Sequence, residues 1–142
     1  MFMNTSWPIW TYETTRNTSF VCQVDSVLNI TEESVCFNRS YWNSNWTTDT
    51  LEGTFDTSDL STMLVGGIGG LMDHSETLQF ASGNYTCGVF IMRPSGGGLD
   101  WWELRFKDVN KTGKPEEECV EYFNKTGETG YVLYSDKCKH LQ

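Results

Sequence analysis

The chain has 142 residues, a formal net charge of −9 and an isoelectric point near 4.5. Such acidity argues against nucleic-acid binding and against adhesion to anionic membranes, since both require a basic surface. The length predicts a single domain over residues 1–142.

Sequons for N-linked glycosylation are unusually dense. The eight Asn-x-Ser/Thr acceptors are Asn4, Asn17, Asn29, Asn38, Asn45, Asn84, Asn110 and Asn124. None has Pro in the middle, and together they predict a secreted, extracellular glycoprotein. The five cysteines suit the same oxidising compartment.

Several other kinds of protein are disfavoured. No two cysteines have CxxC spacing and only two histidines occur, so no metal site is predicted. Residues 1–3 do not resemble a signal peptide, and we expect a mature sequence behind an added start. The longest apolar stretch, residues 63–72, is too short to span a bilayer.

Most of the chain is predicted to form short strands separated by turns. In chain order the predicted strands are residues 7–14, 19–27, 34–42, 50–57, 59–65, 76–81, 85–93, 100–107 and 131–134. The glycine segment 66–70 is expected to be a turn near a barrel mouth, with a mobile lid as the alternative. Short strands at regular spacing indicate a sandwich or a barrel.

One helix is predicted, over residues 115–123. Pro115 suits a first helical turn, and the acids 116–118 suit the positive end of a helix dipole better than a catalytic role. Cys119, Val120 and Phe123 share one face at helical spacing.

The C-terminal half carries a recognisable pattern. It consists of Tyr-Thr-Cys-Gly-Val at 85–89, Trp-Glu-Leu-Arg at 102–105, Cys119 in the helix, Val-Leu-Tyr at 132–134 and Cys138. This resembles the tick salivary lipocalins, in which a Cys-Asp-aliphatic step precedes Glu-Leu-aromatic and a further Cys. The sequon density resembles the Japanin clade, whose members bind cholesterol and modulate host dendritic cells. The resemblance implies an all-β fold, an eight-stranded antiparallel lipocalin barrel with one short C-terminal helix packed outside.

The resemblance also implies the disulfides Cys22–Cys138 and Cys87–Cys119, although the sequence alone allows other pairings. An external helix requires Cys87 to point outward. Alternation along the next strand then places Trp102, Leu104 and Phe106 under the helix.

Cys36 is the odd cysteine. It shares its strand parity with the sequon at Asn38, so it is expected to face outward. Two interpretations stay open, a free thiol and an intermolecular disulfide that would link a dimer.

The same alternation predicts a largely apolar and aromatic barrel interior. The predicted ligand-binding residues are Val35, Phe37, Arg39, Tyr41, Phe55, Leu78, Phe80, Gly88, Phe90, Met92, Trp101, Glu103 and Arg105. Some of them could serve only to pack the barrel. Gly88 is expected to leave open space, and His74 and His140 are expected to be solvated.

Two of these positions bear on the class of ligand. Amine-binding members of the family carry an acid where this chain has Gly88. The aromatic residue that follows Glu-Leu in the family is Arg105 in this chain, and Arg105 is expected to neutralise Glu103. These changes favour an apolar ligand with one polar end, such as cholesterol, a fatty acid or an eicosanoid. The carboxylate of an acidic lipid would pair with Arg39 or Arg105.

Two other functions remain as alternatives. The first is capture of histamine or serotonin through Glu103 and other acids such as Asp25. The second is direct binding of a host immune-cell protein by a barrel without a cavity. No cofactor or catalytic site is predicted, and the chain is not expected to be an enzyme.

Overall fold

The computed structural model describes residues 1–141. The barrel strands are β1 (Ile9–Thr14), β2 (Val21–Ile30), β3 (Ser34–Asn43), β4 (Asn45–Phe55), β5 (Thr62–Gly67), β6 (Met72–Ala81), β7 (Cys87–Pro94) and β8 (Trp101–Phe106). Each strand pairs antiparallel with the next, and β1 pairs with both β2 and β8, so the sheet closes on itself. The predicted eight-stranded antiparallel barrel is confirmed.

Three short elements follow the barrel: α1 (Glu117–Asn124), β9 (Tyr131–Val132) and α2 (Lys137–Leu141). Helix α1 packs outside the barrel against β6, β7 and β8 and buries Cys119 and Phe123. Helix α2 was not predicted, because five residues are too few to display a helical period. Within the described residues, no helix combines the length and apolar character needed to cross a membrane.

The strand boundaries differ most where polar residues continue a strand. Strand β4 begins at Asn45, directly after a tight turn at Ser44 with φ 64°, whereas residue 50 was the predicted start. Residues 47–50 are exposed and lack apolar alternation, so nothing in the pattern marked them as a strand. The strands therefore reach further towards this end of the barrel than the sequence indicated.

Apolar side chains form two separate layers. The inner layer fills part of the barrel with Phe2, Met3, Ile9, Val35, Phe37, Phe55, Met63, Val65, Phe90 and Met92. The outer layer lies between the barrel and the two helices and includes Trp10, Val24, Val89, Leu104, Phe106, Phe123 and Tyr134. Leu104 and Phe106 thus lie under α1, and Trp102 packs against the same layer, as predicted.

A β-bulge in β6 changes the position of one predicted interior residue. Leu78 pairs with Phe90 and Phe80 pairs with Val89, so Gln79 is an extra residue that reverses the alternation. Phe80 therefore faces outward and stacks on Tyr122 of α1 at 4.8 Å between ring centroids. The prediction that Phe80 contributes to the cavity was wrong for this reason.

Two disulfides fasten the helices to the barrel. Cys22–Cys138 joins β2 to α2, and Cys87–Cys119 joins β7 to α1. These are the pairs that the family resemblance implied. Cys36 is free and half-buried, with the outward parity expected from Asn38. A dimer linked through Cys36 stays a prediction.

Removing the second disulfide tests its contribution to stability. Cys87 and Cys119 enclose a loop of 32 residues, so the double change Cys87→Ala/Cys119→Ala should lower the free energy of unfolding by about 3 kcal/mol. Urea denaturation monitored by tryptophan fluorescence measures this value. Cys36→Ala is the matched control and should change stability little; equal losses in both proteins would contradict the assigned pairing.

Candidate ligand-binding site

A layer of charged side chains crosses the middle of the barrel. Asp25 of β2, Arg39 of β3, Glu76 of β6, and Glu103 and Arg105 of β8 point inward and are buried. Arg105 is 0% exposed. We call these five residues the charged layer. Their presence means that the interior is less apolar than the sequence predicted.

Glu76 holds the two guanidinium groups of the charged layer together. Arg39 Nη1 donates to Glu76 Oε2 at 2.8 Å, and Arg105 Nη1 donates to Glu76 Oε1 at 2.6 Å. Arg39 also forms a bidentate pair with Asp25 through Nε at 2.8 Å and Nη2 at 2.9 Å. Such fork geometry makes these contacts strong and directional.

Glu103 completes the charged layer. Its Oε1 accepts hydrogen bonds from Arg105 Nη2 at 2.7 Å and Nε at 3.0 Å, so the internal pair expected from the sequence is present. Gln23 Nε2 donates to the same oxygen at 3.3 Å, and Trp101 Nε1 donates to Oε2 at 3.0 Å. Every ionised group of the charged layer thus has at least one partner.

The partners keep these groups ionised despite burial. Desolvation alone would raise the pKa of Glu76, but Arg105 and Arg39 hold that pKa well below its usual range. Desolvation also opposes ionisation of Glu103, and Arg105 and Arg39 again lower its pKa. The pKa of Arg39 is raised because Asp25 and Glu76 outweigh its desolvation. The charged layer is therefore a set of ion pairs rather than of neutral acids.

His74 extends the charged layer towards solvent. It is buried, with Nε2 at 2.7 Å from Glu76 Oε2 and Nδ1 at 2.9 Å from Asp73 Oδ2. The prediction that it is solvated was wrong, because its strand position turns the ring towards Glu76. His140, by contrast, is exposed. Burial lowers the pKa of His74, but the hydrogen bond and charge of Glu76 raise it above its ordinary value.

His74 should make stability depend on pH. Its folded-state pKa is raised, so the stabilisation is fully present below the unfolded pKa of about 6.5 and is lost as the pH rises through the folded-state pKa. The free energy of unfolding measured from about pH 5 to about pH 9 should therefore fall more with rising pH in the native protein than in His74→Gln. His140→Gln should follow the native curve, and parallel curves for all three proteins would contradict the role of His74.

Apolar side chains occupy the closed end of the barrel, below the charged layer. Phe2 and Met3 enter this end and are buried. The space that Gly88 was predicted to leave open is occupied, because a Cβ there would lie 2.8 Å from Leu78 Cδ1 and 3.0 Å from Phe2 Cε2. A remaining cavity of about 50 Å³, lined in part by Phe55, Leu78 and Phe90, is far smaller than a typical ligand site of about 300–1,000 Å³.

A larger cavity opens above the charged layer, at the other end of the barrel. Its volume is about 480 Å³, which lies within the range of small-ligand sites. Apolar walls come from Phe20, Tyr41, Leu51, Met92 and Trp101, and polar groups from Arg16, Ser19, Gln23, Arg39, Asn43, Asp49, Asp73 and Glu103. We call this space the mouth cavity.

Aromatic rings form two sides of the mouth cavity. Phe20 and Tyr41 pack together at 4.7 Å between ring centroids. The Arg16 guanidinium lies 4.1 Å above the centre of the Trp101 ring. Arg39, Gln23 and Glu103 form the polar floor, because they belong to or contact the charged layer.

The predicted ligand-binding residues thus separate into distinct positions. Arg39, Tyr41, Met92, Trp101 and Glu103 line the mouth cavity. Val35, Phe37 and Arg105 are fully buried and pack or bridge within the barrel. Phe55, Leu78 and Phe90 line the smaller cavity at the other end of the barrel, Gly88 is covered, and Phe80 is outside.

Sequence reasoning missed several residues of the site. Phe20 and Leu51 were not assigned to the cavity, and Glu76 was not recognised as buried. Glu76 has the same parity as Leu78, which precedes the bulge, so alternation along β6 contained the signal. Phe20 precedes β2 in a loop, where no periodic signal exists.

Comparison with known proteins supports the fold independently of sequence similarity. No family model and no curated protein sequence matches the chain. Japanin from Rhipicephalus appendiculatus, solved bound to cholesterol, aligns with a TM-score of 0.69 over 97% of this chain and 99% of its own, at 10% identity. The siderocalin Ex-FABP, described as functioning through dual ligand specificities, aligns with a TM-score of 0.67 over 92% of this chain and 94% of its own, also at 10% identity.

The chain has the lipocalin fold. In that fold it resembles Japanin, and both neighbours are proteins described by the ligands they take.

Breaking the charged layer of this lipocalin barrel should destabilise it severely. Arg105→Met removes the partner of two buried carboxylates, Glu76 and Glu103, and should cost about 3–5 kcal/mol of unfolding free energy. Arg93→Met removes an exposed ion pair with Asp100 and should cost at most about 1 kcal/mol. Chemical denaturation of both variants gives the comparison, and similar small losses would contradict the importance of the charged layer.

Proposed function

We propose that this protein is a secreted lipocalin, of the type found in tick saliva, that binds a small hydrophobic ligand with one polar end in the mouth cavity. The observation that carries the proposal is a cavity of about 480 Å³ with aromatic walls above a floor of paired charges. Its lining combines apolar and aromatic side chains with a larger number of polar ones, which suits a ligand that has both an apolar body and a polar end. Cholesterol, the ligand of Japanin in its solved structure, belongs to this class.

The charged layer determines how such a ligand would lie. A sterol hydroxyl both donates and accepts hydrogen bonds, so it can bind the polar floor at Gln23, Arg39 or Glu103 without adding a buried charge. The rings of the sterol would then contact Trp101 on one side and Tyr41 with Phe20 on the other. A deeper position would require the ligand to break the charged layer or to displace Phe2.

Capture of an amine by the charged layer itself is disfavoured, and the other carboxylates that line the mouth cavity are those of Asp49 and Asp73. The three carboxylates of the charged layer are already paired with Arg39 and Arg105, and protonated His74 would supply a third cation. With His74 protonated, the three cations neutralise the three carboxylates. An ammonium ligand would then add a buried positive charge, and no unpaired carboxylate of the charged layer would compensate for its desolvation.

A fatty acid or eicosanoid is the second candidate, and Arg16 supports it. Arg16 lines the mouth cavity, is exposed, and forms no ion pair within residues 1–141. A ligand carboxylate would pair with it near the opening, so an acidic lipid would bind with its polar end outward.

Secretion and an effect on the host are part of the same proposal. The sequon asparagines are exposed or half-exposed, so glycosyltransferases could reach them, and two disulfides suit an oxidising compartment. Modulation of host dendritic cells, through a surface that contacts an immune-cell protein, is proposed from the family resemblance.

Ligand binding is tested with cholesterol and matched tryptophan variants. Trp101→Ala removes a wall of the mouth cavity and should weaken cholesterol binding about tenfold or more, because a large apolar contact is lost. Trp7→Ala, at an exposed tryptophan outside the mouth cavity, should retain native affinity. Titration with radiolabelled cholesterol measures both.

Native mass spectrometry of the purified protein complements the titration. A co-purifying lipid mass supports the proposal and excludes a barrel without a ligand. The absence of cholesterol binding together with submicromolar histamine binding by calorimetry would overturn it.

A further inference from the structure

Three aliphatic side chains project into solvent beside the opening of the mouth cavity. Ile68 and Leu71 lie in the turn between β5 and β6 and are 59% and 93% exposed. Leu99 lies in the turn between β7 and β8 and is 90% exposed. These three residues are called the aliphatic rim below.

The two turns of the aliphatic rim are neighbours. Ser95, at the start of the second turn, donates its backbone N–H to the carbonyl oxygen of Asp73 at 2.9 Å. Both turns are rich in glycine, with Gly69 at φ 72°, Gly97 at φ 87° and Gly98 at φ 112°. Exposed aliphatic groups concentrated on adjacent turns indicate an interaction surface rather than scattered surface residues.

The ionic groups near the aliphatic rim are few and largely balanced. Arg93 pairs with Asp100 at 3.3 Å, and Asp73 contacts His74. The whole chain carries a formal charge of −9. Anionic lipids would therefore repel the protein, whereas an uncharged, zwitterionic surface would not.

The sequons lie outside the two turns of the aliphatic rim. Two sequons lie at the open end: Asn17 is in the β1–β2 connection, and Asn45 is the first residue of β4. Asn84 lies in the β6–β7 turn, at the opposite end of the barrel. Neither turn of the aliphatic rim contains a sequon, so none of the eight acceptors would attach a glycan to the turns themselves.

We propose that the aliphatic rim docks this protein onto an uncharged phospholipid surface, so that a membrane-resident ligand passes directly into the mouth cavity. The passage of ligand rests on the proposed function, whereas the docking does not. A bilayer suits these three side chains, because they are purely aliphatic and carry no polar atom for a protein partner to pair with. It is also continuous with the opening that a lipid must enter.

Vesicle flotation tests the docking. The native glycoprotein should float with phosphatidylcholine vesicles, and it should bind less to vesicles enriched in phosphatidylserine. Leu71→Ser/Leu99→Ser should lower the partition coefficient about tenfold or more, because two exposed apolar groups lose their contact with lipid. Leu28→Ser/Leu60→Ser, which changes two exposed leucines away from the open end, is the matched control and should float as the native protein does.

Three results would overturn the proposal. These are no flotation of the native protein with phosphatidylcholine, an equal loss in the control variant, or a concentration-dependent dimer in sedimentation that Leu71→Ser/Leu99→Ser abolishes. The last result would assign the aliphatic rim to a second copy of the chain. Cholesterol affinity measured without vesicles should be unchanged in the rim variant, which separates failure of docking from failure of ligand binding.

Discussion

The ion pairs among Asp25, Arg39, Glu76, Glu103 and Arg105 are the constraint on which the rest of this barrel depends. They draw together strands β2, β3, β6 and β8 from opposite sides of the sheet. Ions removed from water are tolerated only when their partners are complete, so the strand register must place all five side chains at one level. The Phe90 ring also helps to offset the desolvation of Arg105, whose guanidinium carbon lies 4.5 Å from the ring centre. A change at one member therefore affects the whole barrel interior.

The charged layer also divides the space inside this barrel in which the proposed ligand could lie. Below it, Phe2, Met3 and the inner apolar side chains leave only about 50 Å³, and above it the mouth cavity has about 480 Å³. The polar floor and aromatic walls are the basis for proposing an amphipathic ligand that enters from the open end. The aliphatic rim lies at that same end, so ligand entry and the proposed contact with lipid share one region of the surface. The two disulfides and both helices lie outside the barrel.

The fold was largely predictable because its main signals are periodic or chemical. Strand alternation and the sequons depend on neighbours along the chain, which a sequence displays directly, whereas the Cys87–Cys119 pairing was implied by the family resemblance. The site was predictable only in part. Arg39, Tyr41, Met92, Trp101 and Glu103 follow from simple alternation, but one bulge at Gln79 moved Phe80 outside. The links of Glu76 to Arg39 and Arg105 join residues 37 and 29 positions apart, and no local pattern reports such contacts. The contact of Phe2 with Gly88 likewise joins residues far apart in the sequence, so no local pattern predicts it.

The position of a bound ligand relative to the charged layer tests this account most directly. A crystal structure of the complex with cholesterol would measure it. The account predicts density for the sterol above the charged layer, against Trp101 and Tyr41, with Phe2 still at the closed end and the Arg105–Glu76 pair intact. Sterol density below the charged layer, with Phe2 displaced and that ion pair broken, would contradict it.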